Sequence, residues 1–332
     1  MRVLVIGGTG FIGLPVVARL VALGHQVTVF HRGQSVVIVP PEVQHIYGDR
    51  RHLADFTAVF ARVAPEVVLD MFPYSEADAQ ALISCLTNSV RRAVVISSMD
   101  VYRAYDRLHG RESDPVDAVP LQESAPLRQK LYPYGGTYEK ILVERTMMSN
   151  PTLPATVLRL PMVYGPGDTQ HRLFVYLKRM DDYRPVIVLD EAMAQWRGTR
   201  GYVGNVAAAI ALAVTDDRAA GRIYNVGEAD PLTESAWVQQ IGQVAGWSGK
   251  VDVVPRDRLP VSLKWWGDSI LNQQWVVDTQ RLREDLGFEE LISRDAAVQQ
   301  AVAWERAHPP EQVNTALFDY AVEDAFLATL TR

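Results

Sequence analysis

Val3-Leu4-Val5-Ile6-Gly7-Gly8-Thr9-Gly10-Phe11-Ile12-Gly13 is the stretch whose reading decides the fold. The four apolar residues suit one buried strand, and the apolar pattern that continues to Leu23 suits a helix. Gly7 permits a tight turn between them, Gly10 lets a ligand approach the backbone, and Gly13 lets the helix lie close to the strand. Strand, glycine turn and helix in this order present backbone N–H groups and a helix N-terminus to a pyrophosphate. The glycines are spaced G-x-x-G-x-x-G. Thr9, Phe11 and Ile12 share their loop and join Gly7, Gly10 and Gly13 as candidate cofactor contacts.

Beyond the first helix, strands and helices alternate, which predicts a parallel sheet with right-handed crossovers. Strands are expected at Gln26–Phe30, Val43–Tyr47, Glu66–Met71, Ala93–Ser97 and Ala155–Arg159. Helices are expected over 53–63, 75–89 and 136–149. Residues 104–133 carry four prolines and no clear period, which predicts a long functional loop. After residue 160 the pattern changes to a helix near 170–181, a short strand at 186–189, a helix over 203–215 and a strand at Arg222–Val226. Helices near 233–245, 278–286, 294–306 and 315–330 follow. The expected fold class is α/β, a doubly wound parallel sheet with a smaller C-terminal α/β substrate domain. The sheet domain comprises 1–162 and 200–226, and the smaller domain 163–199 and 227–332.

The bulk properties narrow the function. With 332 residues, 48% hydrophobic and 22% charged, the chain has the composition of a soluble globular protein. A net charge of −6 argues against a general nucleic-acid or anionic-membrane binder. The one cysteine, Cys85, excludes an intrachain disulfide and a cysteine metal cluster. No apolar run approaches the roughly 18 residues of a membrane span, and a strand starting at residue 3 leaves no room for a signal peptide. A cytoplasmic protein is the expectation. The histidines show no ligand spacing, so no metal is expected.

In an open parallel sheet the ligand sits beyond the carboxyl ends of the strands, so the residues there matter most. The second strand ends Phe30-His31-Arg32, with two potential cations where an NAD site usually carries a carboxylate. A guanidinium suits a 2′-phosphate, so NADP is expected over NAD. Asp49 either accepts from an adenine amino group or caps the next helix, and Arg50 beside it is a further cofactor candidate. Asp70-Met71-Phe72-Pro73-Tyr74 leaves the fourth strand. Phe72 is a candidate cofactor contact and Tyr74 a candidate substrate contact.

Several later motifs belong together: Ser97-Ser98-Met99-Asp100-Val101-Tyr102, Pro133-Tyr134-Gly135 through Lys140 and Glu144, Arg159 with Val163-Tyr164-Gly165-Pro166-Gly167-Asp168, and Tyr224-Asn225-Val226-Gly227. With the glycine loop, they resemble the extended short-chain dehydrogenase/reductases, the NAD-dependent epimerase/dehydratase family. The resemblance implies a Rossmann sheet and a catalytic set of serine, tyrosine and lysine. The tyrosine exchanges a proton with the substrate oxygen. The lysine charge lowers the tyrosine pKa and holds the nicotinamide ribose, and the serine bonds the same substrate oxygen. By motif position, Ser98 is the serine and Lys140 the lysine. The family spacing is Tyr-x-x-x-Lys, whereas Gly136 stands four before Lys140, Tyr134 six before it and Tyr138 two before it. Three readings follow. Tyr134 reaches the site through a two-residue insertion, Tyr138 does the work, or no tyrosine does.

The resemblance implies a small-molecule substrate, commonly a sugar nucleotide. Arg197 and Arg200, flanked by Trp196, are candidates to grip a diphosphate. The expected activity is an NAD(P)-dependent oxidoreductase or epimerase acting on a hydroxyl or carbonyl group. The alternative is an atypical member without redox turnover, a dinucleotide-binding sensor, scaffold or RNA-associated protein. The helices near 75–89 and 136–149 resemble a four-helix dimer pair, which implies a homodimer.

Overall fold

The computed structural model describes residues 1–34, 39–86, 90–113, 115–130, 138–264, 266 and 272–330. Strands β1 (Arg2–Ile6), β2 (Gln26–His31), β3 (Gln44–Tyr47), β4 (Val67–Asp70), β5 (Arg92–Ser98) and β6 (Ala155–Leu160) precede two short strands, β7 (Met162–Tyr164) and β8 (Val186–Asp190). Strands β9 (Arg200–Tyr202), β10 (Ile223–Asn225) and β11 (Lys250–Val254) complete the set. Seven strands form one sheet in the order β10-β6-β5-β4-β1-β2-β3, every pairing parallel. The order reverses between β1 and β4, which opens a crevice at their carboxyl ends.

The strand sequences explain this sheet. Val3, Leu4, Val5 and Ile6 are all buried, as are the four residues of β4 and the six of β6. Continuous apolar strands of this kind are buried on both faces. Val3 and Val5 meet helix α1 (Gly13–Ala22), whereas Leu4 and Ile6 face the opposite layer with Phe60 and Leu82. That opposite layer contains α2 (Thr57–Val63), α3 (Glu76–Cys85) and, after the short α4 (Arg103–Leu108), α5 (Lys140–Met148). Ser75 caps α3 through a capping box with Asp78. On the first face lies α8 (Val203–Thr215), which follows α6 (Phe174–Asp181) and α7 (Glu191–Gln195). Its run Ala207-Ala208-Ala209 lets it close onto α1 and the sheet.

The remaining elements are α9 (Glu234–Ala245), α10 (Gln280–Leu286), α11 (Arg294–Ala307) and α12 (Tyr320–Leu330). Helix α9 packs on β11 and on α11, α10 packs on β10, and Phe326 of α12 packs with Val254 of β11; two small parallel pairs, β7 with β9 and β8 with β11, accompany them. Among the described residues, no helix is long and apolar enough to cross a membrane.

The structure departs from the sequence expectations locally. The helix expected over 53–63 is a 3₁₀ stretch, Arg50–Phe56, leading into α2. Helix α4 and strands β7, β9 and β11 fall where no element was expected. Residues 115–130 are a strap rather than a free loop. Leu121 N–H donates to Val276, Asp278 N–H to Leu121, and Arg128 N–H to Val101.

A buried polar network fastens this strap to the sheet. Arg159 of β6 forms a two-point pair with Glu144 of α5, at 3.0 and 2.7 Å. Its remaining nitrogen donates to the Tyr102 hydroxyl and the Glu123 carbonyl. Ser97 also donates to Glu144, and Tyr102 donates to Asn225 at 2.7 Å. The Glu144 charge raises the Arg159 guanidinium pKa further above its usual value, against the effect of burial. Removing one partner of such a pair leaves an uncompensated buried charge. Glu144→Leu is expected to lose about 3–5 kcal/mol of stability, measured by urea unfolding. A loss under 1 kcal/mol would show that water reaches Arg159.

Candidate functional site

The crevice between β1 and β4 holds a cavity of about 570 Å³, walled by the glycine loop, the ends of β2 and β3, and Phe72. Gly7 adopts φ +82°, and a β carbon on it would lie 2.6 Å from the Phe72 ring. Gly10 lies against the same ring, so Phe72 lines the loop directly. Helix α1 begins at Gly13 with no side-chain cap and no acidic residue in its first turn. Leu14 N–H is taken by the Gly10 carbonyl at 3.0 Å and Pro15 has no N–H, so Phe11, Ile12 and Gly13 carry the backbone N–H groups left for an anion at this end. Thr9, Phe11 and Ile12 are half-buried in the loop, and Phe11 packs against Gly167 of the turn after β7.

At the far end of this cavity, His31 is nearly buried, and its Nε2 lies 2.8 Å from His45 Nδ1. Its own Nδ1 accepts from Gly33 N–H. Burial first, and His45 second, pushes the His31 pKa below its usual value. Arg32 is exposed on the cavity wall and, among the described residues, has no ion pair. Asp49 caps the 3₁₀ stretch, accepting from Arg51 N–H, and pairs with the Arg51 guanidinium at 2.6 Å. Those bonds hold its carboxyl well below the usual range.

Arg50, expected from sequence as a cofactor contact, lines this cavity and is also held as a brace. It forms a two-point pair with Asp70 at 2.8 and 2.9 Å, reaches Asp78 at 3.2 Å and donates to the Phe72 carbonyl. These contacts tie the end of β4 to the start of α3.

The reaction end lies beyond Phe72. Lys140 is the first residue of α5, and its side chain points back under the sheet edge. Its Nζ donates to the carbonyls of Pro73 at 3.0 Å and Ile96 at 2.9 Å. The ammonium lies 5.1 Å from the Tyr74 ring centre and 5.7 Å from that of Tyr138. Burial pushes the Lys140 pKa down to about 8, against the opposing charges of Asp70 and Asp100. Tyr74 is partly exposed and touches both Phe72 and Tyr138. The Tyr138 hydroxyl donates to Asp100 Oδ2 at 2.7 Å. Ser98 ends β5 and accepts from Asp100 N–H at 3.2 Å. The structure thus brings Ser98, Tyr138, Tyr74 and Lys140 together, while Tyr134 lies outside the described residues.

The two arginines expected to grip a diphosphate are placed differently. Arg200 is half-buried, pairs with Glu234 and lies 4.8 Å from the Trp237 ring centre. Glu234 accepts a second bond from Tyr176. Arg197 is exposed, its backbone N–H bonded to Gln274 and its side chain on a separate cavity of about 740 Å³. Sequence reasoning missed Asp100 and Arg128 as site residues. Arg128 donates to the Asp100 carbonyl and pairs with Glu139 at 3.1 Å. Their signal was weak, since each is a lone charge in a polar stretch.

Comparison with known proteins agrees with this fold. Residues 3–227 match the model of the NAD dependent epimerase/dehydratase family. A 2′-dehydrokanamycin reductase of Streptomyces kanamyceticus is 27% identical over 87% of this chain and 78% of its own. A Thermotoga maritima UDP-glucose 4-epimerase structure matches with TM-score 0.69 at 19% identity, covering 92% of this chain and 99% of that one. A dTDP-glucose 4,6-dehydratase from Bacillus anthracis, solved with NAD, matches with TM-score 0.68 at 16% identity, covering 93% and 97%. The chain belongs to the NAD-dependent epimerase/dehydratase family and is an NAD(P)-dependent enzyme of the extended short-chain dehydrogenase/reductase type.

Proposed function

We propose that the protein is an NADP-dependent oxidoreductase moving hydride to or from the carbinol or carbonyl carbon of a sugar nucleotide or similar small metabolite. The observation that carries the reading is Lys140, a buried ammonium fixed by the carbonyls of Pro73, after β4, and Ile96, in β5. Gly7, Gly10 and Gly13 would hold the pyrophosphate, with Thr9, Phe11, Ile12 and Phe72 around it. Bound NADP would supply the hydride acceptor or donor at its nicotinamide. Lys140 would steady the ribose, Ser98 the substrate oxygen, and Tyr138 would exchange a proton with that oxygen. Tyr74 would close the substrate side.

Two observations support NADP over NAD. Among the described residues Arg32 has no ion pair on the cavity wall, and the carboxylate of Asp49 is already occupied by Arg51. Arg200 is neutralised by Glu234, which favours a substrate not gripped by a diphosphate clamp at that point. We also propose a homodimer through α3 and α5, which pack together and carry half-buried Ile83, Leu142 and Met148. A sedimentation mass of one chain would exclude it. A second reading, dinucleotide binding without turnover, rests on Gly136 standing four before Lys140.

Calorimetric titration is expected to show tighter binding of NADPH than of NADH. Arg32→Ala should weaken NADPH by about tenfold and leave NADH unchanged, the loss of one charged contact to phosphate. Equal affinities in the native protein would refute the preference. NADPH oxidation should be screened with 2′-dehydrokanamycin, UDP-glucose and dTDP-glucose after conversion to their keto forms. Binding without oxidation of any of them would favour the second reading.

Lys140 gives a pH signature. Its ammonium is present below about 8 and lost above it. NADPH affinity is therefore expected to fall as pH rises from 7 to 9, by roughly three- to tenfold. In Lys140→Met the affinity should be lower at pH 7 and nearly flat across that range. The same fall in Lys140→Met would assign the titration to another group.

A further inference from the structure

Asp100 has a carboxyl arrangement that the serine–tyrosine–lysine set does not use. The residue is 7% exposed, two positions after Ser98 at the sheet edge. Its Oδ2 accepts from the Tyr138 hydroxyl, while its Oδ1 has no hydrogen-bond partner among the described residues. The groups facing it are Ser98 from the end of β5, Tyr138 and Lys140 from the entry to α5, and Arg128 from the strap. Burial is the largest influence on its pKa and raises it, against the Tyr138 hydrogen bond, the Arg128 and Lys140 charges and the Ser98 hydroxyl, in that order. A buried carboxylate oxygen left unpaired is costly, and the cost falls when the group takes up a proton.

This placement conflicts with Tyr138 acting alone. A lone tyrosine takes the substrate proton as a phenolate. A phenolate 2.7 Å from an ionised carboxylate would set two negative charges side by side. The conflict disappears if the phenol never carries the charge.

We propose that Tyr138 and Asp100 form a two-residue proton relay, in which Tyr138 exchanges the proton with the substrate oxygen and Asp100 stores it. The proposal rests on the oxidoreductase reading above. In the oxidising direction the substrate O–H bond breaks and its proton goes to Tyr138 Oη. In the same step the Tyr138 proton passes to Asp100 Oδ2 along the existing hydrogen bond. The carbinol C–H electron pair leaves as hydride to NADP⁺, and the C=O bond forms. Alcohol, NADP⁺ and carboxylate become carbonyl compound, NADPH and carboxylic acid. Reduction is the reverse, with Asp100 returning its proton through Tyr138. Lys140 and Arg128 are positioning residues, and their charges offset the carboxylate when it is ionised.

The relay is tested first without any substrate. Tyrosine ionisation is followed by ultraviolet difference titration of the full chain, subtracting Tyr138→Phe to isolate Tyr138. Asp100→Asn is expected to move that midpoint to lower pH by about one unit or more, because the neighbouring charge is gone. An unmoved midpoint overturns the proposal. Asp100→Ser serves as the second variant, and thermal melting confirms that each variant folds.

The kinetic arm uses NADPH with 2′-dehydrokanamycin. Asp100→Asn should lower kcat by about a hundredfold or more, with KM and NADPH affinity within about twofold. Tyr138→Phe should match it, and the double variant should be no slower than either single one. A kcat near wild type in Asp100→Asn, or additive losses in the double variant, overturns the relay. A wild-type protein that leaves NADPH unoxidised counts against the oxidoreductase reading, and the titration then decides the relay alone.

Discussion

Helix α1 can lie against the turn that precedes it only because Gly13 has no side chain. A β carbon there would stand 2.7 Å from the carbonyl carbon of Gly8, inside backbone contact distance. That approach sets the direction of α1, and with it the line along which the Ile12 and Gly13 N–H groups at its start point. Val16, Val17 and Leu20 then reach the face of the sheet that Val3 and Val5 present. The alanine-rich α8 closes over the same face beside α1. The cofactor crevice is therefore a consequence of core packing: the glycine that lets the core close is the one that aims the amides.

Charge at the carboxyl edge is nearly all committed to structure. Arg50 binds Asp70 and Asp78, Arg159 binds Glu144, Arg128 binds Glu139, and Arg200 binds Glu234. Pairing on this scale makes the groups left over informative. Among the described residues Arg32 has no ion pair, Lys140 donates to two carbonyls and faces two aromatic rings, and one Asp100 oxygen has no hydrogen-bond partner. Arg32 lines the crevice beyond the glycine loop, and Lys140 and Asp100 stand beside Tyr138.

The sheet was legible in the sequence because its strands are buried on both faces and read as unbroken apolar runs, as in Val67-Val68-Leu69. Strands β7 and β9 escaped notice because three residues carry no period, and β11 because Lys250 and Asp252 break its apolar run. The strap over 115–130 was unreadable for another reason. Much of its order comes from bonds of Leu121 to Val276, Asp278 and Asn225, more than a hundred residues away. The site divides in the same way. The glycine loop, Ser98 and Lys140 announce themselves by local spacing. That Arg50 and Arg200 act as braces could not be seen, because their partners stand 20 and 34 residues further along the chain. Asp100 needed the fold, since only there does Tyr138 come within 2.7 Å of it.

The central claim is that the amides of the first loop and the start of α1 hold a dinucleotide phosphate. Hydrogen–deuterium exchange of the full chain with and without saturating NADPH tests it most directly. The account predicts slowed exchange confined chiefly to residues 7–14 and the segment around Phe72, with α11 and α12 unchanged. Exchange in 7–14 that is indifferent to NADPH, or protection appearing only elsewhere, would contradict it.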